Sequence, residues 1–308
     1  MTHGTSLLGL RDLDRASIEV ILDRADFWFD RMSAGAPIPT PRAVVGLMFL
    51  EDSTRTRCSF EAAVQRLGHA PVVLNGRGSS TSKGESLRDT AANLAAMGMQ
   101  ALVVRCAVSG GPRVVRDATG LPVINAGDGR HEHPTQGLLD LATLRSRLGS
   151  LDGRRILIVG DVLNSRVARS NVHGLAAMGA QVLLVGPASL VPWRLADLSP
   201  AVTVAHDLDA VIDTADAVMM LRIQRERDAG RAVAEDYRQA FGLTLARAHR
   251  LRSEVPILHP GPVNRGVELD DAVLGDPGRS AVLEQVQRGV AVRMAVLERA
   301  LAAAGGDD

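Results

Sequence analysis

The chain has 308 residues, of which 46% are hydrophobic and 23% charged, with 35 basic and 35 acidic side chains. That length suits two domains of roughly 150 residues each, and that composition excludes a disordered chain. Balanced charge excludes a general field for nucleic acid or anionic lipid, so any anion specificity must come from local clusters.

Short apolar runs alternate with amphipathic stretches, which predicts a parallel α/β protein. The segment 12–29 has helical periodicity. Residues 43–50 read as a buried strand, 53–67 as a helix ended by Gly68, and 71–74 as a strand. Residues 85–97 read as a helix ended by Gly98, 101–105 as a strand, 112–119 as a short helix and 122–125 as a strand. A second series begins after His133-Pro134, with helices at 136–148, 166–178 and 207–213. Its strands fall at 155–159, 181–185, 217–221 and 255–258. The segment 281–304 predicts a long helix with Val282, Val286, Val290, Met294 and Leu297 on one face. The expected architecture is two parallel-sheet α/β domains with a cleft between them, 1–135 and 136–280, with 281–308 returning to the first.

The start of the chain lacks an apolar run behind a basic cluster, so no secretion signal is expected. The longest apolar runs are too short for a membrane span. Cys58 and Cys106 are the only cysteines. Neither stands at metal-ligand spacing, and both fit reduced, cytoplasmic thiols. No metal site and no cofactor are expected.

The first chemical cluster is Ser53-Thr54-Arg55-Thr56-Arg57, between a strand and a helix. One capping residue would satisfy the helix. Two threonines and an arginine on the same turn, beside amide donors and a positive dipole end, instead suit a phosphate. No glycine-rich cradle accompanies them, which argues against a nucleotide loop. The second is Ser79-Ser80-Thr81-Ser82-Lys83-Gly84-Glu85, a loop of small polar residues. Lys83 is the single lysine among 35 basic residues, which points to a compact ammonium that guanidinium cannot replace.

Arg105 ends a strand, and His133 precedes a proline that blocks helix on its side. Gln136 opens the following helix. A histidine and a glutamine presented together can bond a carbonyl oxygen and an amide NH₂. Farther on, Arg166 opens a helix after the strand that ends at Gly160-Asp161. Arg222-Ile223-Gln224 follows another strand, with Glu226 and Arg227 beyond. Two arginines at separate strand ends suit a dicarboxylate, each offering a fork to one carboxylate. His259-Pro260-Gly261-Pro262 predicts a rigid turn whose carbonyls can accept from an amine, with the Gly261-Pro262 bond a candidate for the cis form.

These motifs, in this order and spanning nearly the whole chain, resemble aspartate carbamoyltransferase catalytic chains. The phosphate cluster and His-Pro-Thr-Gln mark carbamoyltransferases in general. The Arg-x-Gln-x-Glu-Arg run favours aspartate over ornithine as acceptor. The resemblance implies transfer of the carbamoyl group of carbamoyl phosphate to L-aspartate, in pyrimidine biosynthesis. It implies that Ser53, Thr54, Arg55 and Thr56 hold the phosphate, and that Arg55 also stabilises its charge as it leaves. Thr56, Arg105 and His133 would donate to the carbamoyl oxygen. Gln136 would orient the carbamoyl NH₂ with the Pro260 and Gly261 carbonyls. Arg166, Arg222 and Gln224 would bind aspartate. In the family a serine, here Ser79 or Ser80, and Lys83 reach the neighbouring subunit's site, which implies a homotrimer with shared active sites. The family also admits a larger assembly with regulatory chains or dihydroorotase. Three rival readings stay open from the residues: a carbamoyltransferase with another amine acceptor, a catalytically silent scaffold chain within an assembly, and a dinucleotide-binding dehydrogenase. The dehydrogenase reading rests on the strand 155–159 with Gly160, whose continuation lacks the remaining glycines.

Overall fold

A computed structural model describes residues 6–34, 43–76, 85–223 and 237–302. The chain divides into two compact units, Met1–Leu139 with Gln287–Asp308, and Asp140–Val286. Both boundaries fall inside helices rather than at the ends of elements.

In the first unit the strands are β1 (Val44–Phe49), β2 (Ala70–Asn75), β3 (Ala101–Cys106) and β4 (Val123–Asp128). They form a parallel sheet ordered β2-β1-β3-β4. The helices are α1 (Arg15–Ser33), α2 (Thr54–Arg66), α3 (Leu87–Ala96), α4 (Gly111–Thr119) and the start of α5 (Pro134–Leu148). β1 and β3 are apolar runs because each lies between two strands and is covered on both faces. β2 is an edge strand, and its Val72 and Val73 are each 37% exposed. The central pairing joins Phe49 to Arg105 in register. The chain leaves β1 for β2 on one side and comes back to β3 on the other. The carboxyl ends of β1 and β3 therefore flank a topological switch point, where parallel sheets bind ligands.

The second unit repeats this plan. Its strands are β5 (Arg155–Val159), β6 (Gln181–Val185), β7 (Val202–Ala205), β8 (Ala217–Met220) and β9 (Ile257–Leu258), parallel and ordered β7-β6-β5-β8-β9. Its core includes Leu157, Val159, Val185, Val218, Met220 and Ile257. The switch point lies between β5 and β8. Gly160, at the end of β5, has φ +129, and an added Cβ would stand 3.1 Å from the Leu221 Cβ and carbonyl. Only glycine lets the two strand ends come this close.

α6 (Arg166–Ala177) follows β5, and α7 (Tyr237–Phe241), α8 (Leu245–Arg250) and α9 (Asp271–Leu274) are short. The helix expected at 207–213 is instead a run of turns leading into one 3₁₀ turn, Ile212–Thr214. The Asp207 side chain accepts from Ala210 N–H there, a local bond that competes with helix. The strand β7 was not anticipated from the pattern.

The last helix is α10 (Val282–Ala302). Met294 and Leu297 are buried as expected, but Val286 is 50% exposed, and Val282 and Val290 are only half-buried. The inward positions of its first half are held by Gln285, Gly289 and Arg293. In the first unit, Glu298 of this helix pairs with Arg24 and accepts from the Trp28 indole at 3.0 Å. Arg293 donates to Ser59 at 3.0 Å and lies over the Phe60 ring. Among the described residues, no helix is long and apolar enough to cross a membrane.

Candidate active site

At the switch point of the first unit, Ser53 is the N-cap of α2 in extended conformation, yet its side chain makes no capping bond. Ordinary N-cap serines spend the hydroxyl on the first turn. Thr54 and Arg55 are exposed on that turn, and Thr56 faces inward at 8% exposure. The first amides of any helix have no carbonyl partner within it, so this end can receive an anion. Arg57 is turned away, donating to Asn75 at 3.0 Å and pairing with Glu61 at 3.3 Å.

Arg105, one strand over, donates to the Ala126 carbonyl at 3.1 Å, with Glu51 3.8 Å from its Nε. His133 is 4% exposed, and its Nε2 lies 3.5 Å from the Thr56 hydroxyl. The structure thus brings together Thr56 and His133, which lie 77 positions apart. The His133 carbonyl accepts from the N–H groups of Gln136 and Gly137, which fixes the histidine as the residue that starts α5.

Two buried carboxylates hold the loop that carries His133, and neither was among the expected site residues. Asp128 accepts from Gly110 N–H at 2.6 Å, the Asn125 amide at 2.8 Å and Glu132 N–H at 3.1 Å. His131 also reaches Asp128, at 3.0 Å. Glu132 in turn accepts from Leu10 N–H at 2.7 Å. A signal existed in the run Gly127-Asp128-Gly129: an acidic residue between glycines at a strand end marks a tight, hydrogen-bonded turn.

In the second unit, Arg166 is the first residue of α6 and is 7% exposed. Ser165 caps that helix by accepting from Ala168 N–H at 3.1 Å. Asp161 holds the preceding turn through the Asn164 backbone and amide, at 3.2 and 2.9 Å. Arg222 follows β8 and is half-buried. The backbone beside it is pinned by Glu268, which accepts from Ile223 N–H, Asn264 N–H and the Asn264 amide at 2.8, 2.8 and 2.6 Å. Burial pushes the Glu268 carboxyl above its ordinary range, and these donors pull the other way. Tyr237, also buried, is pushed up by desolvation and then by the nearby Glu268 and Asp161.

The Pro260-Gly261 turn lies in the same unit. Gly261 has φ +63, and its bond to Pro262 is cis. Ser79, Ser80, Lys83 and Gln224 lie outside the described residues. Among the described residues, no group of three or more His, Cys, Asp or Glu side chains could hold a metal ion.

Residues 5–146 match the family model "Aspartate/ornithine carbamoyltransferase, carbamoyl-P binding domain", and residues 152–300 match the "Asp/Orn binding domain" model of the same family. The chain is 51% identical over 297 residues to an aspartate carbamoyltransferase catalytic subunit of Myxococcus xanthus, covering 95% of this chain and 98% of the relative. It is 50% identical to the corresponding subunit of Salinispora tropica, covering 94% and 96%. Aspartate transcarbamoylase of Trypanosoma cruzi, solved with carbamoyl phosphate, superposes with a TM-score of 0.87 at 30% identity over 96% of this chain and 95% of that one. Ornithine carbamoyltransferase of Pyrococcus furiosus superposes with a TM-score of 0.88 at 25% identity, over 100% and 99%. With both of its units matched and half of its residues shared with such relatives, the chain belongs to the aspartate/ornithine carbamoyltransferase family.

Proposed function

We propose that this chain transfers the carbamoyl group of carbamoyl phosphate to the α-amine of L-aspartate, giving N-carbamoyl-L-aspartate and phosphate, a step of pyrimidine biosynthesis. One observation carries the reading. At the switch point of the first unit, Ser53 leaves its capping role unfilled while Thr54, Arg55 and Thr56 share the first turn of α2, and His133 meets Thr56. This is an anion site with a carbonyl-directed donor beside it. The aspartate acceptor is supported by relatives of that name at about half identity. It is also supported by guanidinium groups at the ends of the second sheet, Arg166 and Arg222.

In this reading Ser53, Thr54, Arg55 and Thr56 hold the phosphate. Thr56, Arg105 and His133 donate to the carbamoyl oxygen. Gln136 and the Pro260 and Gly261 carbonyls orient the carbamoyl NH₂. Arg166, Arg222 and Gln224 grip the two carboxylates of aspartate. The amine attacks the carbamoyl carbon directly. Charge grows on the carbonyl oxygen, where fixed donors are worth on the order of 10²-fold or more in rate each. The C–O bond to phosphate then breaks, and the departing phosphate takes the amine's proton. The unit that ends at Leu139 carries most of the groups for carbamoyl phosphate, and the unit Asp140–Val286 carries those for aspartate together with the Pro260 and Gly261 carbonyls. The working form is a cytoplasmic homotrimer, with Lys83 and Ser79 or Ser80 supplied to the neighbouring subunit. Two cysteines without a disulfide suit a reducing compartment.

An acceptor screen with radiolabelled carbamoyl phosphate tests the assignment. Label should pass to aspartate and not to ornithine. Transfer to another amine alone would remove aspartate from the reading. Mixing Lys83→Ala subunits with Arg55→Ala subunits should restore activity if sites are shared, and no recovery would exclude sharing.

A further inference from the structure

Within the second unit, a line of buried polar groups runs from α5 to the Pro260-Gly261 turn. Asp140 on α5 is fully buried, and one of its oxygens accepts from the Asn171 amide at 2.8 Å. Its other oxygen accepts from the Gln285 amide at 2.7 Å. The Gln285 oxygen accepts from His259 N–H at 2.9 Å. The His259 Nδ1 accepts from Gly261 N–H at 2.8 Å. Asn171, Gln285 and His259 are each 2% exposed or less.

The direction of every bond is forced. Asp140 as a carboxylate has no donor, so the Gln285 NH₂ must face it. The backbone N–H of His259 needs an acceptor, and the Gln285 oxygen is then the group left to supply it. His259 Nδ1 receives a backbone N–H, so in the neutral ring the proton sits on Nε2, facing Glu268 at 3.9 Å. The peptide bond between Pro260 and Gly261 is planar and trans, so its C=O points opposite to its N–H. By fixing Gly261 N–H on the His259 ring, the line therefore fixes the direction of the Pro260 carbonyl.

We propose that Asp140 and Gln285 are positioning residues for carbamoyl transfer, aiming the Pro260 carbonyl at the carbamoyl NH₂ through His259. This rests on the functional reading above, in which that carbonyl touches substrate. Neither residue touches substrate itself. A buried carboxylate is costly unless its partners are well placed, so the site retains one where an apolar pair would pack more simply.

A charge swap gives the test. Asp140→Asn puts an NH₂ into a position that must accept from two amides. Flipping Gln285 turns its NH₂ onto His259 N–H, and flipping Asn171 turns its oxygen onto the Val167 carbonyl that its amide now bonds at 3.0 Å, so every arrangement leaves like facing like. Adding Gln285→Glu restores the pattern: the new carboxylate at 285 accepts from His259 N–H and from the new amide at 140, whose oxygen still accepts from Asn171. Asp140→Asn should lower kcat about tenfold or more and raise the KM for carbamoyl phosphate, since small misplacements at a reacting group cost up to about 10²-fold. The D140N/Q285E double variant should return both to within about threefold of the parent, well short of that loss. Gln285→Met, of similar volume, should reproduce the single-variant defect. A fall in melting temperature with both KM values unchanged would assign these residues to stability alone and overturn the proposal. So would a D140N enzyme with normal kinetics. If D140N does not fold, a folded double variant no more active than Q285M overturns it equally. The unsubstituted enzyme's own transfer to aspartate is the control, so failure of the functional reading would be seen separately.

Discussion

In the proposed function the ends of the two sheets work in different ways. In the first unit, the proposed groups sit on a helix's first turn and on Arg105 and His133, close to the backbone that bears them. In the second, Arg222 follows a strand whose end is held by the buried Glu268 and the half-buried Asn264. The first arrangement takes its field from the helix, which costs nothing further to orient. The second depends on a buried carboxylate that folding must desolvate. A small, strongly charged phosphate suits a helix end, whereas a flexible diacid needs guanidinium groups set at a fixed spacing.

The contrast breaks most visibly at Arg55. Arg55→Ala removes an exposed side chain, so the fold should stand while turnover falls on the order of 10²-fold or more. Steady-state rates beside a thermal melt check this, and near-normal turnover would take Arg55 out of the reaction. In the second unit, Arg222→Ala should raise the KM for aspartate roughly 10- to 100-fold, the worth of charge-assisted bonds of about 1.5–3 kcal/mol. The KM for carbamoyl phosphate should move far less, and an equal rise in both would erase the proposed division of labour.

Glu268 sharpens the comparison through pH. Its carboxyl is pushed above the ordinary range by burial, so the folded state holds its proton more tightly than the unfolded chain does. Its contribution to stability is then fully present below the unfolded pKa and is lost as pH rises through the folded one. Glu268→Gln removes that proton linkage. Melting temperature measured from about pH 4 to about pH 8 should fall less steeply for the variant than for the parent. Parallel curves would show that Glu268 carries no such coupling. The smallest effect is expected at Ser165, the cap beneath Arg166. Ser165→Ala should cost about 1 kcal/mol of stability by chemical denaturation. A loss well beyond that would mean the hydroxyl does more than cap α6.

Much of this was legible in the sequence because parallel sheets write themselves as apolar runs, and because glycines close helices in predictable places. The phosphate cluster could be read because its residue types exceed what a cap needs. Glu268 and Asp140 could not. Each is an acidic residue among apolar neighbours, and nothing local tells a buried carboxylate from a solvated one. The same blindness misplaced the inner face of α10. There Gln285 and Arg293 are buried for their hydrogen bonds, and Val286 stands in solvent. Periodicity assumes that polar means outside. Around the site that assumption fails, since burial there follows partners rather than hydrophobicity.

The two thiols have a practical consequence. Cys106 is 3% exposed, and its sulfur donates to the Val108 carbonyl at 3.3 Å. It lies so close to Gly111 that a Cβ added there would stand 2.4 Å from it. Cys58 is exposed on α2, five positions after Ser53. A maleimide dye added in equal molar amount will therefore mark α2 alone, without any cysteine having to be engineered. Fluorescence from that one label would show directly whether an anion binds at the adjacent helix end, without any substitution and before any turnover.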